Sequence, residues 1–317
     1  MPSDRPGASV PVIQRLLPFL TLAALFVGLT IASPHFLTAV NLSSVVRQTA
    51  VINTIALGMT LVIIAGGIDL SVGSILAMGG LLGTMTMAAG YSIPAGIAVG
   101  IVSGAFWGLV NGVFITRLRI APFIVTLGTM GIVRGLALIV SGGLPVHNVP
   151  RGFSFLGDGV LLGVPFVLWL VVGCAALVHL ILERTRLGRY TFAIGSNPDA
   201  ALYAGIPIAF HTTAVYTICG LLTGLAGMIE ASRLMTGQPT AGMTYELQAI
   251  AAVVIGGGSL RGGEGSVIGT LIGGFIMGLL SNGSDLLGIS PYLQQAVIGA
   301  VIILAVAVDE LRKRKLG

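Results

Sequence analysis

The chain has 317 residues, of which 55% are hydrophobic and 9% charged, and its mean hydropathy is +1.01. Soluble domains carry roughly 25% charged residues, so this composition excludes a soluble protein and predicts an all-α, polytopic membrane protein. The net charge of +5 is interpreted as loop charge that orients helices, and not as a sign of nucleic-acid binding. Cys174 and Cys219 fall in apolar runs and give neither a disulfide framework nor metal-ligand spacing.

Ten apolar runs have the length of membrane spans, although the eighth is short and ends in glycines. They cover residues 16–33, 44–66, 71–89, 93–116, 121–141, 163–182, 209–232, 246–258, 266–281 and 292–308. We predict one transmembrane domain over residues 1–317, with cytoplasmic tails at 1–15 and 309–317. This orientation places twelve of the sixteen Lys and Arg residues on the cytoplasmic side, as expected for cytoplasmic loops: Arg5, Arg15, Arg117, Arg119, Arg184, Arg186, Arg189, Arg261, Arg312, Lys313, Arg314 and Lys315.

The turn between the second and third spans combines glycines with an acid. Gly67 and Gly73 allow a tight turn, and Asp69 or Ser71 can cap the third span. Capping alone explains the carboxylate, and a cytoplasmic gate is the functional alternative. A similar glycine-rich group, residues 255–266, joins the eighth and ninth spans and suggests a weak internal repeat.

The fourth span carries a glycine at every fourth position. This spacing leaves a strip of bare backbone on one helix face and predicts close contact with another helix. The strip consists of Gly96, Gly100, Gly104, Gly108 and Gly112.

Arg134 lies inside the fifth span, where a guanidinium is costly unless it has a partner or reaches water. Glu230 of the seventh span falls at a similar predicted depth. We therefore predict an Arg134–Glu230 ion pair, with Arg233 able to compete for the carboxylate. The alternative is that Arg134 extends its side chain to the outer surface.

The loop from Gly142 to Leu162 is the longest predicted outer loop. It contains prolines, a histidine and an arginine. Two interpretations stay open, namely an outer cap over a cavity and a flexible connector.

Residues 183–207 form the longest polar interruption of the chain and are predicted to be a cytoplasmic loop, because they contain three arginines. Within the loop a short helix has both ends marked. Asn197 suits the N-cap, Pro198 the first position and Asp199 the positive helix end. Ala200 and Ala201 propagate the helix, and Gly205 can end it. The segment is either a plain surface helix or a docking site for another protein.

The chain lacks the motifs of an ATP-hydrolysing subunit or any other enzyme. The G-x-x-x-x-G-K-[ST] phosphate loop is absent, since the only lysines are Lys313 and Lys315. We see no catalytic constellation, and the histidines share no metal-ligand spacing, so no cofactor or metal is predicted. The carboxylates map to the two membrane faces, which points to an external energy source or to passive conduction.

Several long motifs resemble those of one transporter family. They include GMTLVI at 58–63, GIDLSVGS at 67–74, RLGRY at 186–190, residues 197–206, QPTAG at 238–242 and residues 249–260. Together they resemble the ribose-type permease subunits of sugar-importing ABC transporters, over nearly the whole chain after about residue 30.

The resemblance implies a ten-helix permease of the bacterial inner membrane that works with a second permease subunit, most simply as a homodimer. A cytoplasmic ABC ATPase would supply energy, and a periplasmic sugar-binding protein would deliver a monosaccharide such as ribose or another pentose. Residues 197–205 fit the short helix that docks into the ATPase, and transport would proceed by alternating access. The alternatives are another small polar solute, such as a different sugar, a polyol or a furanose signal, and a stand-alone facilitator.

A neutral polyol needs hydrogen-bonding groups along its path, and four polar residues of the second and fourth spans are candidates. The same residue types also bond neighbouring helices. The candidates are Asn53, Thr54, Thr60 and Asn111.

Overall fold

A computed structural model describes residues 12–316 of the chain as a bundle of α-helices. Between Ser141 and Phe166 lie a short 3-10 helix, Arg151–Phe153, and an antiparallel pair of two-residue strands, β1 Val160–Leu161 and β2 Val164–Pro165. The helices of this part of the chain are α1 Val12–Ala32, α2 Ala39–Ile64, α3 Val72–Ala88, α4 Ile93–Arg117, α5 Pro122–Ser141, α6 Ser154–Asp158, α7 Phe166–Arg184, α8 Arg186–Ser196, α9 Pro198–Tyr203, α10 Ile208–Leu234, α11 Tyr245–Ile255, α12 Val267–Leu286 and α13 Pro291–Leu316.

The predicted all-helical class is confirmed, and each predicted span contains a helix. Within the described residues, six helices are long and apolar enough to cross a membrane, namely α2, α4, α5, α7, α10 and α12. Residues 17–32 of α1 and the whole of α3 and α11 are apolar but shorter. Ten crossings and cytoplasmic termini stay predictions.

The glycine strip of α4 packs against α10, as predicted. The two helices are antiparallel, because Gly104 lies against Gly220 and Gly224, whereas Gly112 lies against Thr213. A β-carbon at Gly104 would be 2.8 Å from the α-carbon of Gly224. The backbones therefore touch directly, and the opposite face of α4 exposes large apolar side chains such as Phe106.

Helix α3 packs equally closely against α4 and α10. Gly79 of α3 lies against the backbones of Gly100 and Gly224, so α3 touches α4 and α10 at one level. Helix α2, whose residues 49–64 are all buried, packs against α10 of this trio and, on its other sides, against α7, α11 and α12. The core of the bundle is thus a set of closely spaced backbones with α2 at its centre.

The segment 235–244, between α10 and α11, is not helical and packs along α3 through its buried glycines, Gly237 and Gly242. Gly237 lies beside Thr84, and Gly242 lies beside Gly73 and Leu76. The segment therefore runs antiparallel to α3 for about three turns of that helix. This course explains why the eighth predicted span is short: the ten residues before α11 are not helical, and a membrane tolerates such backbone only where protein covers it.

The loop between α5 and α7 is packed onto the end of α10. The hydroxyl of Ser232 donates a hydrogen bond of 2.5 Å to the carbonyl of Phe153 and accepts one of 2.8 Å from the amide of Gly157. Phe153 is fully buried, and Val146 pairs with Gly237 of the extended segment. These contacts agree with a fixed cap on the bundle rather than a flexible connector; that it covers a cavity stays a prediction.

Replacing Gly104 with leucine should destabilise the protein by about 1–3 kcal/mol, the usual cost of overpacking, because no space exists between α4 and α10. Thermal unfolding in detergent measures the effect. Gly131→Leu in α5 is the matched control, since no heavy atom lies within 4 Å of a β-carbon there. Equal melting temperatures for both variants would show that the α4–α10 contact does not contribute to stability.

Candidate functional site

The predicted short helix exists as α9 and has the predicted ends. The side-chain oxygen of Asn197 accepts a hydrogen bond of 2.9 Å from the amide of Ala200. Pro198 occupies the first turn, and Asp199 lies in the same turn. Gly205 follows the helix with φ +77°, a left-handed conformation that favours glycine. Residues next to the helix in the sequence therefore determine where it begins and where it ends.

The exposed surface of α9 is not formed by all of the predicted residues. Ala201 is only 3% exposed and faces the chain's own helices. Leu202 and Tyr203 are 59% and 90% exposed, which is unusual for large side chains. The sequence analysis did not predict Tyr203 as part of this surface. A large aromatic residue at the end of a short helix in a polar loop could have indicated it.

The end of α8, next to α9, touches both glycine-rich turns. The amide of Gly263 donates a hydrogen bond of 2.9 Å to the carbonyl of Ile64, so the two turns are bonded to each other. At Gly195 a β-carbon would collide with that carbonyl and with the amide of Gly263. The two glycine-rich turns that resemble each other in sequence are thus in direct contact, and the end of α8 packs over them; the internal repeat itself stays a prediction.

The turn between α2 and α3 is buried and held by its own hydrogen bonds. One carboxylate oxygen of Asp69 accepts bonds of 2.9 Å and 2.5 Å from the amide and hydroxyl of Ser71. The amide group of Asn111 donates a bond of 2.8 Å to the same hydroxyl. All three side chains are fully buried. Asp69 therefore stabilises the start of α3 and, through Ser71, links it to α4.

The glycines of this turn act differently from the prediction. The left-handed residue is Gly66, with φ +80°, whereas Gly67 and Gly73 have no positive φ. A side chain at Gly67 would meet the hydroxyl of Tyr216, and one at Gly73 would meet the carbonyl of Gly242. Gly67 and Gly73 are needed for close approach and not for the turn itself. That the turn works as a gate stays a prediction.

The four candidate pathway residues are buried at helix contacts. Thr54 donates a hydrogen bond of 2.7 Å to its own helix, at Ala50, and Thr60 lies 2.7 Å from the hydroxyl of Thr270 on α12. Asn53 packs against Gly274, and Asn111 donates its hydrogen bond to the hydroxyl of Ser71. The structure therefore gives Thr54, Thr60 and Asn111 bonding partners within the bundle; their contact with substrate stays a prediction.

A polar cavity of about 200 Å³ lies between four helices, near the end of the bundle opposite to α9. The salt bridge between Arg233 and Glu230, at 3.3 Å, borders it, and the hydroxyl of Tyr245 lies 3.4 Å from the same carboxylate. The lining residues are Gln48 and Ile52 of α2, Arg233 of α10, Tyr245 and Gln248 of α11, and Gly278, Ser281 and Asp285 of α12.

Arg134 is bonded to the extended segment and not to Glu230. One guanidinium nitrogen donates hydrogen bonds of 2.6 Å and 2.9 Å to the carbonyls of Pro239 and Ala241. The predicted Arg134–Glu230 ion pair is wrong, because Glu230 pairs with Arg233. The physical reason is that non-helical backbone leaves its carbonyls without intrahelical partners, and the half-buried guanidinium of Arg134 satisfies two of them.

Comparison with known proteins assigns the chain to a family. Residues 41–306 match the family described as branched-chain amino acid transport system / permease component. The chain is 45% identical to the ribose import permease protein RbsC of Bacillus subtilis, over 94% of this chain and 93% of the relative. It is 43% identical to RbsC of Escherichia coli K12, over 92% and 94%. The chain belongs to this permease family.

More distant relatives of the permease include the L-arabinose ABC transporter permease protein AraH of Azospirillum brasilense, which is 36% identical over 99% of this chain and 93% of the relative. No solved structure matches the permease. The family resemblance drawn from the motifs is confirmed. Because the match spans nearly all of the chain, α9, the glycine turns and the extended segment all belong to the permease itself.

Replacing Arg134 with glutamine should lower the stability of the permease by about 1.5–3 kcal/mol, the range for hydrogen bonds to charged groups. The extended segment would then have unpaired carbonyls. Thermal unfolding in detergent is the measurement, with the exposed Arg151→Gln as the control.

A double-mutant cycle separates this arrangement from the ion pair. The effects of Arg134→Gln and Glu230→Gln should add to within about 0.3–0.5 kcal/mol, as for independent sites. A larger coupling energy would mean that the two side chains interact after all.

Proposed function

We propose that the chain is the transmembrane permease subunit of an ABC importer that moves ribose or a similar pentose across the bacterial inner membrane. The observation that carries the proposal is the identity of 45% and 43% to two ribose import permeases over more than nine-tenths of the chain. Relatives named for L-arabinose and D-allose transport are 36–37% identical to the chain. Another monosaccharide is therefore the second candidate.

The subunit organisation follows from the same proposal. A cytoplasmic ABC ATPase supplies the energy, a periplasmic sugar-binding protein delivers the monosaccharide, and a second permease subunit, as a homodimer, completes the pathway. We place both termini and the segment 183–207 in the cytoplasm, on the distribution of arginines. Catalysis is assigned to the ATPase, since the phosphate-loop motif is absent from this chain.

Contacts at the end of α8 suggest how a movement of the ATPase during ATP hydrolysis would be transmitted to the transmembrane helices. We place the docking surface on the exposed side chains of α9, chiefly Leu202 and Tyr203. A displacement of α9 passes to α8, whose Gly195 touches Ile64 and Gly263. Ile64 ends α2 just before the turn that leads to α3, and Gly263 belongs to the turn that leads to α12. One movement at α9 would therefore reorient both helices, as alternating access requires.

Uptake of radiolabelled D-ribose tests the function. Cells without a ribose importer that express the permease, its ATPase and its binding protein should accumulate the sugar. A variant ATPase unable to hydrolyse ATP is the control and should abolish accumulation. Stronger competition by unlabelled L-arabinose or D-allose than by ribose would favour the second candidate, and accumulation of none of the three would overturn the proposal.

Tyr203→Glu tests the docking surface. The change should reduce co-purification of the ATPase at least about tenfold, the scale of an interface hot spot, because it places charge at the most exposed aromatic position of α9. Leu118→Glu is the matched control, since Leu118 is also an apolar residue, 60% exposed, in a predicted cytoplasmic loop. Equal co-purification with both variants would place the ATPase contact elsewhere.

A further inference from the structure

We propose that the cavity between α2, α10, α11 and α12 is a monosaccharide subsite, which holds the sugar after its delivery and before its release. The inference rests on the function proposed above and adds the place where the permease itself contacts the substrate. It assigns the recognition of sugar hydroxyls to the carboxamides of Gln48 and Gln248.

The size of the cavity suits a pentose. Its volume is about 200 Å³, which equals that of about six or seven liquid water molecules at about 30 Å³ each. A pentose has about ten non-hydrogen atoms and fits in such a space, whereas a disaccharide does not. Gly278 allows α12 to approach α2 closely beside the cavity, because a β-carbon there would collide with the hydroxyl of Thr49.

The two carboxamides are available for binding. No side-chain hydrogen bond is found for Gln48 or Gln248 among residues 12–316, although both are half-buried in an apolar bundle. Polar side chains inside a membrane protein ordinarily bond neighbouring helices. Thr60 and Asn111 follow that rule, and these two glutamines do not. Unused polar groups that line a cavity are what a polar ligand requires.

Apart from Asp285, whose side chain is exposed, the chemistry of the lining favours a neutral ligand with several hydroxyls. A carboxamide offers both donors and an acceptor, which matches a hydroxyl group, since a hydroxyl also donates and accepts. The charge of Arg233 is balanced by Glu230 in the salt bridge, and Tyr245 contacts the same carboxylate. The site thus has no unopposed cation that would select a carboxylate or phosphate.

The cavity also lies at the end of α2 opposite to α8 and α9, the helices proposed to receive the movement of the ATPase. Gln48 is separated along α2 from Ile64, which touches α8, by about 24 Å of helix at about 1.5 Å per residue. The walls include helices that begin at different non-helical segments: α11 follows the extended segment, and α12 follows a glycine turn bonded to Ile64. Displacement of the turns would therefore change the cavity.

Gln48→Leu and Gln248→Leu test the subsite in the complete, reconstituted transporter with its ATPase and binding protein. Ribose transported per ATP hydrolysed should fall about two- to tenfold for each variant, since each removes hydrogen bonds between neutral groups. The control is Gln295→Leu on α13, an exposed glutamine that does not line the cavity, and it should transport like the unmutated protein. Parental transport by the double variant Gln48→Leu/Gln248→Leu would overturn the subsite.

A second measurement decides the matter if the leucine variants do not assemble. In Gln48→Cys, a methanethiosulfonate reagent should modify the new thiol, and D-ribose should slow the modification at least about threefold, whereas the acyclic, uncharged glycerol should not. The unmutated protein measures the background from Cys174 and Cys219. Equal rates with and without ribose would overturn the subsite. Absence of ribose uptake by the unmutated transporter is a separate result, which would overturn the proposed function and the subsite together.

Discussion

The contact between the bare backbones of α4 and α10 is the constraint on which the rest of the structure depends. In lipid, apolar side chains gain little by leaving one apolar surface for another, so close packing decides which helices associate. Gly104 against Gly220 and Gly224 brings two backbones together, and Gly79 adds α3 at the same level. Once these three helices are fixed, the turn before α3 lies buried between them and α2, where Asp69, Ser71 and Asn111 bond one another.

The second constraint is that backbone polar groups must be satisfied inside the membrane. The extended segment 235–244 meets it with help from other elements, because Arg134 donates to two of its carbonyls and Val146 pairs with Gly237. Non-helical backbone at this depth allows α11 to begin inside the bundle. The cavity lined by Gln48 and Gln248 lies beside the first turn of α11. The non-helical segment before α11 therefore also leaves room for a polar ligand.

The transmission proposed from α9 to the bundle would use the direct backbone contacts at the end of α8. At the end of α8, the backbone of Gly195 lies directly against Ile64 and Gly263. A hydrogen bond from the amide of Gly263 to the carbonyl of Ile64 joins the two turns. Proteins transmit displacement well where interiors are closely packed. A force on the exposed residues of α9 would therefore reach α3 and α12 together. The cavity, at the other end of α2, would respond to the same movement.

Local patterns determined much of this protein from sequence alone. The hydropathy of each span, the glycine period of α4 and the capping residues Asn197 and Gly205 are short-range signals, and the helices, the α4 contact face and α9 follow from them. Which groups meet across the bundle was decided only by tertiary structure. Arg134 bonds backbone carbonyls and not Glu230, Ala201 faces inward, and the polar cavity joins four helices distant in sequence. Each depends on how helices pack around an extended segment, and a one-dimensional pattern does not contain that arrangement.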